Sequence, residues 1–387
     1  MPKHSELQFL VFCAIVAPAN GNDRFPLNFA HAQELNLVGD SRVMKAIVFE
    51  HHGGPEVLRY TDMPEPFVRA TDVLVRVRAC ALNHLDLWVR RGIPGMQIPL
   101  PHIPGSDVAG EIAAVGAATT RVKVGDKVIL APGISCGQCA QCLAGADNFC
   151  RQYKMFGEMV DGGCAEFVSA PEVNAIPKPE RLSFEEAAAV PLVFLTAWHM
   201  LIARAKIRPG ETVLVLGAGS GVGTAAIQIA KLVGARVIAT AGSEEKLAHA
   251  TKLGADVVID HAKQDIAAEV KRLTNRRGVE VVFEHVGIAT WEKSLASLAP
   301  GGRLVTCGAT TGYDAKIDLR FLFSKQYSIL GSKMGSKSDL YAALEAMNQG
   351  RLNPVIDKVM PLEKCAEAHA RLESREQFGK IVLKVGP

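Results

Sequence analysis

The segment Gly217-Ala218-Gly219-Ser220-Gly221-Val222-Gly223 restricts the fold more than any other stretch of this chain. It follows the apolar run Val213-Leu214-Val215-Leu216 and leads into Thr224-Ala225-Ala226-Ile227. Glycines there allow a tight strand-to-helix turn, let backbone amides approach a pyrophosphate, and leave the partial positive charge of the helix start facing it. The string departs from strict G-x-G-x-x-G spacing, so a purely structural turn is the competing reading. The elements that follow favour the cofactor. Helices are expected at 223–233 and 244–253, and strands at 212–216, 236–240, 257–260, 279–283, 303–307 and 328–330. Strands alternating with helices imply a doubly wound parallel sheet that takes a dinucleotide at its strand ends. Gly217, Gly219, Ser220, Gly221, Val222 and Gly223 are therefore the expected cradle.

A cofactor with a free ribose 2′-hydroxyl calls for Asp or Glu at the end of the second strand. Here that end reads Thr240-Ala241-Gly242-Ser243, with Lys246 one turn further on. No carboxylate stands at the strand end to repel a 2′-phosphate, and Ser243 and Lys246 can donate to it. NADP(H) is expected over NAD(H). The opposite reading makes Lys246 a solvated helix residue beside Glu244 and Glu245.

With 387 residues the chain exceeds what one core organises, so two domains are expected. Short β-rich runs at 73–77, 108–115 and 127–130, separated by Gly/Pro turns, read as a small, mainly β barrel. After Gly335 come helices at 339–349 and 364–372 and a strand at 380–385, placed to return to that barrel. The expected division is 44–193 with 338–387 for the barrel domain and 194–337 for the dinucleotide domain.

Cys136-x2-Cys139-x2-Cys142-x7-Cys150 puts four soft ligands in one glycine-containing loop within a lobe at 133–153, as a closed structural zinc site requires. An iron–sulfur cluster is disfavoured by the wide last gap and the lack of a following proline. Four thiolates leave no open position for chemistry, so this one zinc is scaffold. The other five cysteines are scattered and read as small buried apolar residues, not a disulfide framework.

A net charge of +3 with dispersed basic residues forms no phosphate-binding patch, so nucleic acid is not an expected partner. The apolar run at 9–17 is too short to span a bilayer. It loosely resembles an export signal, but only Lys3 and His4 precede it, opposed by Glu6, and a thiolate cluster suits a reducing compartment. A cytoplasmic location is expected over export. Residues 1–43 read as a flexible extension or as the product of a start codon upstream of Met44.

Taken in chain order, Asn83-His84-Leu85-Asp86, Pro104-Gly105-Ser106-Asp107-Val108-Ala109-Gly110, the four cysteines, Leu195-Thr196-Ala197-Trp198 and the glycine turn resemble the medium-chain dehydrogenase/reductase superfamily. The resemblance covers 44–387. It implies a GroES-like catalytic domain joined to a Rossmann domain, and an oxidoreductase that transfers hydride between a nicotinamide cofactor and a small molecule. Zinc alcohol dehydrogenases of that superfamily hold a second, catalytic zinc through a cysteine, a histidine with adjacent glutamate, and another cysteine. By motif matching those positions here are Asn83, Ser106 with Asp107, and Leu192, which cannot form a four-ligand site. The resemblance then points to the zinc-free branch, quinone oxidoreductases and enoyl reductases, which reduce quinones or activated alkenes. It implies Asn83 as the group meeting or positioning the substrate carbonyl and Asp86, or a water-linked neighbour, as the proton handler. The bland alternatives are a turn residue and a helix-start charge. Thr196, Val286 and Gly308 should line the nicotinamide pocket, and a homodimer or homotetramer should form along the 328–330 strand. Two rivals stay open: an alcohol dehydrogenase whose second zinc uses His84, His102 and Asp107, and a nucleotide-binding protein without catalysis.

Overall fold

The computed structural model describes residues 42–386. The expectation for 1–43 lies, up to residue 41, outside the described residues. Six parallel strands form one sheet in the order Val257–Asp260, Arg236–Ala241, Thr212–Val215, Val279–Glu284, Leu298–Thr306, Ser328–Gly331. The chain enters at the centre, winds outward to one edge, then crosses back to build the other half. That reversal leaves a crevice at the carboxyl ends of the central strands. Val213, Leu214, Val215 and Leu216 are fully buried, as a central parallel strand covered on both faces must be.

The helix after the glycine turn begins at Gly221, two residues earlier than expected, because Ser220 caps it by accepting from Gly223 N at 2.9 Å. The fifth strand begins at Leu298, not at residue 303. Pro300-Gly301-Gly302 carries turn chemistry in the sequence, but the ladder absorbs it as an irregularity between the Val279 and Val281 pairings.

A second sheet runs Ile356–Pro361, Lys380–Lys384, Asp72–Ala81, Asp107–Val115, Lys127–Leu130, Ala175–Pro177, with Phe167–Pro171 also on the long strand Asp72–Ala81. The expected return of the chain terminus is present: Val382 pairs with Ala81 and Leu383 with Cys80. This pairing matters for function, because it brings Lys380, the first residue of the return strand, beside the end of Asp72–Ala81. Helix His84–Arg91 starts three residues after that end. Helix Lys337–Asn348 packs Leu340, Ala343 and Met347 into a core shared with Phe194, Met200 and Val215.

Candidate functional site

The turn that opens the dinucleotide crevice is built by two glycines with different tasks. Gly217 has φ +58°, a left-handed conformation natural to glycine. A Cβ on Gly223 would lie 2.4 Å from Gly217 O, so only glycine lets the helix approach the strand this closely. Ala218 N donates to Thr240 O at 2.8 Å, tying the turn to the second strand. The amides of Gly221 and Val222 fall in the first helical turn and have no intrahelical acceptor. They face a cleft of about 1330 Å³.

Of the residues expected to hold cofactor, Gly217, Gly219, Ser220, Gly221, Val222, Ser243, Lys246 and Val286 line this cleft. Thr196, Gly223 and Gly308 do not line it: the Thr196 hydroxyl lies 4.0 Å from Met334 Sδ, and a Cβ on Gly308 would sit 3.1 Å from His285 O. The end of the second strand is crowded with donors. His261 Nδ1 lies 3.2 Å from Thr240 Oγ1, and a Cβ on Gly242 would come within 2.9 Å of His261 Nε2. Burial holds the His261 pKa below its ordinary value; Asp260 opposes this, and Lys246 and Lys293 add to it. Lys246 Nζ donates to Arg375 O at 2.5 Å.

Besides His261, two wall residues that shape the site have no place in the sequence-based expectations. His285 Nε2 lies 2.9 Å from Leu216 O and 3.3 Å from Ser220 Oγ, which fixes the imidazole under the turn. It follows the strand Val279–Glu284, so a rule that every residue just past a central strand faces the crevice would have found it. The fully buried Glu284 behind it accepts from Val286 N at 2.6 Å and from the Ser294 hydroxyl at 2.6 Å, which rigidifies that part of the wall. The second is Lys380.

At the other end of the cleft, Asn83, Asp107 and Lys380 form one buried cluster, with exposures of 6%, 0% and 3%. Lys380 Nζ donates to Asn83 Oδ1 at 2.5 Å and to Asp107 Oδ2 at 2.8 Å. Asn83 Nδ2 donates to Asp107 Oδ2 at 2.9 Å and lies 3.5 Å from Ala81 O. Leu192 N donates to Asp107 Oδ1 at 2.7 Å, and the Ser106 hydroxyl donates to Phe156 O at 2.7 Å. Asn83 and Lys380 reach the cleft wall; Asp86 does not. Asp86 is fully buried, with Oδ2 accepting from Asn83 N at 2.6 Å and Oδ1 from Gly105 N at 3.1 Å. Both its oxygens hold backbone amides, the helix-start arrangement. Burial raises its pKa, against His369 and the Asn83 amide. His84 faces the cleft edge-on to Trp88, with ring centroids 5.1 Å apart. Burial, then Arg375 and Arg91, pushes its pKa down to about 4, so it is neutral near pH 7. His102 pairs edge-on with Phe49 away from the cleft.

The four cysteines come together in the lobe formed by Gly133–Ile134, helix Ala140–Leu143 and the turn Asp147–Phe149. Their sulfurs all lie within 4.8 Å of one another, the one such group of potential metal donors among the described residues. Cys136 Sγ is 3.9 Å and Cys139 Sγ 3.5 Å from Cys142 Sγ. Tetrahedral Zn–S bonds of about 2.3 Å would separate the sulfurs by about 3.8 Å, so the donor set fits a structural zinc in both chemistry and spacing. Amides of Gln138 and Cys139 lower the Cys136 pKa to about 6, favouring thiolate. The lobe is fastened by Asp147, whose Oδ1 accepts from Lys337 N at 2.9 Å and Oδ2 from Lys337 Nζ at 2.9 Å.

Fold and site together define an NAD(P)-dependent oxidoreductase. Residues 69–180 match the family described as the alcohol dehydrogenase GroES-like domain, and residues 221–349 match the zinc-binding dehydrogenase family. The chain belongs to the medium-chain dehydrogenase/reductase superfamily, with the GroES-like and Rossmann architecture expected of it. It is 33% identical over 350 residues to a quinone oxidoreductase of Homo sapiens, covering 88% of this chain and 98% of that protein. Among solved structures, an NAD-dependent alcohol dehydrogenase is 50% identical with a TM-score of 0.86, over 89% of this chain and 100% of the other. A crotonyl-CoA carboxylase/reductase in complex with NADP is 27% identical with a TM-score of 0.83, over 89% of this chain and 95% of the other.

Proposed function

We propose that this enzyme uses NADPH to reduce an activated C=C bond or a quinone, with its one zinc confined to the four-cysteine lobe. The observation that carries the reading is the cluster at the catalytic end. Where zinc-dependent members of the superfamily hold a second metal, this chain offers an amide, a hydroxyl with one carboxylate, and a leucine. The carboxylate, Asp107, already accepts from a buried ammonium, Lys380 Nζ, at 2.8 Å. A zinc site needs thiolate, imidazole or carboxylate donors converging on one point, and His84, His102 and Asp107 are not brought together among the described residues. A Lewis acid is what polarises an unactivated alcohol. Quinones, enones and acyl-thioester alkenes are electron-poor enough to accept hydride with hydrogen-bond help alone, which agrees with the likeness to a quinone oxidoreductase.

The cofactor would lie along Gly217 to Val222 with its adenosine end at Ser243, Lys246 and His261. The bound nicotinamide supplies the hydride. Ser243, Lys246 and the imidazole offer donors to a 2′-phosphate; Asp357, Glu245 and Glu376 beside Lys246, and Asp260 beside the imidazole, are the opposing charges. Assays of quinones, 2-cyclohexenone, acyl-CoA alkenes and alcohols against both cofactors test the whole reading. NADPH should give the higher kcat/KM, and Lys246→Ala should reduce that preference by roughly tenfold, the equivalent of about 1.4 kcal/mol. Preference for NADH in the parent enzyme overturns the cofactor assignment.

Alcohol oxidation is the second reading, favoured by the name of the 50% identical structure. Two zincs per chain, with alcohol turnover lost to a chelator while the fold persists, would establish it.

Self-association is supported by the outer strand Ser328–Gly331 and by Leu319, Phe321 and Phe323, which are 64%, 56% and 71% exposed on the preceding helix. Such a patch beside an open sheet edge suits a second copy of the chain. Sedimentation should find at least a dimer, and Phe321→Glu with Phe323→Glu should shift it toward monomer; a monomeric parent refutes this.

A further inference from the structure

The cationic group at the catalytic end is a lysine whose hydrogen-bonding capacity is incompletely used. Lys380 arrives there through a constrained backbone. Gly379 has φ +95°, a Cβ on it would lie 2.4 Å from Val355 O, and Lys380 N donates to that same carbonyl at 2.9 Å. Gly379 N donates to Gly219 O at 2.9 Å, so the return strand is fixed directly to the cofactor turn. The lysine stem then crosses Gly221, where a Cβ would come within 2.9 Å of Lys380 Cδ. Its head passes beyond the turn into the Asn83–Asp107 cluster.

An ammonium has three hydrogens and accepts nothing. Two are taken, by Asn83 Oδ1 and Asp107 Oδ2. The third has no acceptor among the described residues, although the residue is 3% exposed and lines the cleft. Asn83 is in the opposite condition: Oδ1 is filled by the lysine, and Nδ2 faces Asp107 and Ala81 O. The donor available to a substrate at this point is therefore the lysine, and the amide serves to aim it.

We propose that Lys380 is the electrophilic catalytic residue, donating its third N–H to the carbonyl oxygen of the substrate; this rests on the alkene or quinone reading above. When an enone is reduced, its β-carbon gains the hydride and the alkene π pair forms a new bond order between the α-carbon and the carbonyl carbon. The carbonyl π pair comes to rest on oxygen. Lys380 stabilises that oxyanion more strongly than the neutral carbonyl, which is what lowers a barrier. A proton from water then goes to the α-carbon, the carbonyl re-forms, and the ammonium keeps its three protons. Asp107 and Asn83 are positioning residues, holding the head in one rotamer.

The test uses the full chain in three forms: parent, Asp107→Asn, and Lys380→Met combined with Asp107→Asn, which removes both buried charges so that folding survives. Each is assayed with NADPH and 2-cyclohexenone, and calorimetry measures the affinity of the NADP+-saturated protein for cyclohexanone, which binds through its carbonyl without turnover. Read against Asp107→Asn, the double variant should lose roughly 10²–10³-fold in kcat, the loss typical of removing one oxyanion donor. It should also bind cyclohexanone at least about tenfold more weakly, with NADP+ affinity unchanged. Ketone affinity and kcat within about threefold of Asp107→Asn overturn the proposal. So does a selective loss of NADP+ affinity, which would make the lysine a pyrophosphate ligand. A parent that reduces no alkene or quinone defeats the proposed function instead, and the ketone affinities still decide whether Lys380 meets a carbonyl.

Discussion

Lys380→Met as a single change is expected to lower folding stability by about 3–5 kcal/mol, the range for removing one partner of a buried ion pair. Asp107 is fully buried, and among the described residues it retains, without the lysine, Leu192 N and Asn83 Nδ2 as donors. A carboxylate left there without a cation carries its desolvation cost uncompensated. Because the methionine stem would still pack on Gly221, the loss is electrostatic and not a cavity effect. Adding Asp107→Asn should therefore restore most of it, since a neutral amide leaves no uncompensated buried charge. Denaturant titrations at constant slope measure both variants. A single-variant loss under about 1 kcal/mol, or no recovery in the double, would mean that Asp107 does not depend on this lysine.

Removal of the lobe's metal should have the other large effect. One zinc per chain is expected, and Cys142→Ser should abolish its binding. Structural zinc is worth about 10–16 kcal/mol in small zinc peptides. Here the lobe is also held by Asp147 on Lys337, so the consequence should be local: fast amide exchange across 133–153 and a lowered unfolding temperature. The four thiolates leave no open coordination position, so kcat/KM of the fraction that remains folded should stay near the parent value. Ordered exchange across the lobe without metal refutes a structural role; full folding with loss of turnover points to a catalytic one.

Much of the architecture was legible because it is written locally. Turn residues at 217–223, the period-2 and period-3.6 patterns around them, and the four cysteines within fifteen positions each depend on neighbours in sequence. Helices Ile266–Leu273 and Ile288–Ala296 have no counterpart among the expected elements, although Glu244–Lys252 and Cys365–Glu373, of similar length, do. The boundaries that moved, at Gly221 and Leu298, did so because a cap and a strand irregularity extended elements through residues whose composition signals a turn.

The catalytic end was legible only in part. Asn83 and Asp107 could be picked out through a motif, and the sequence alone determined that an amide, a hydroxyl with one carboxylate, and a leucine stand at the motif positions. What it left open was the group that joins them. Lys380 is 297 positions from Asn83 and begins an unremarkable strand pattern, so nothing near it in the chain marks it. The tertiary structure decided its place by pairing Val382 with Ala81, which carries the ammonium over the glycine turn to a buried carboxylate. Propensity and spacing act between neighbours, whereas a buried charge acquires its function only from what the fold places within about 3 Å of it.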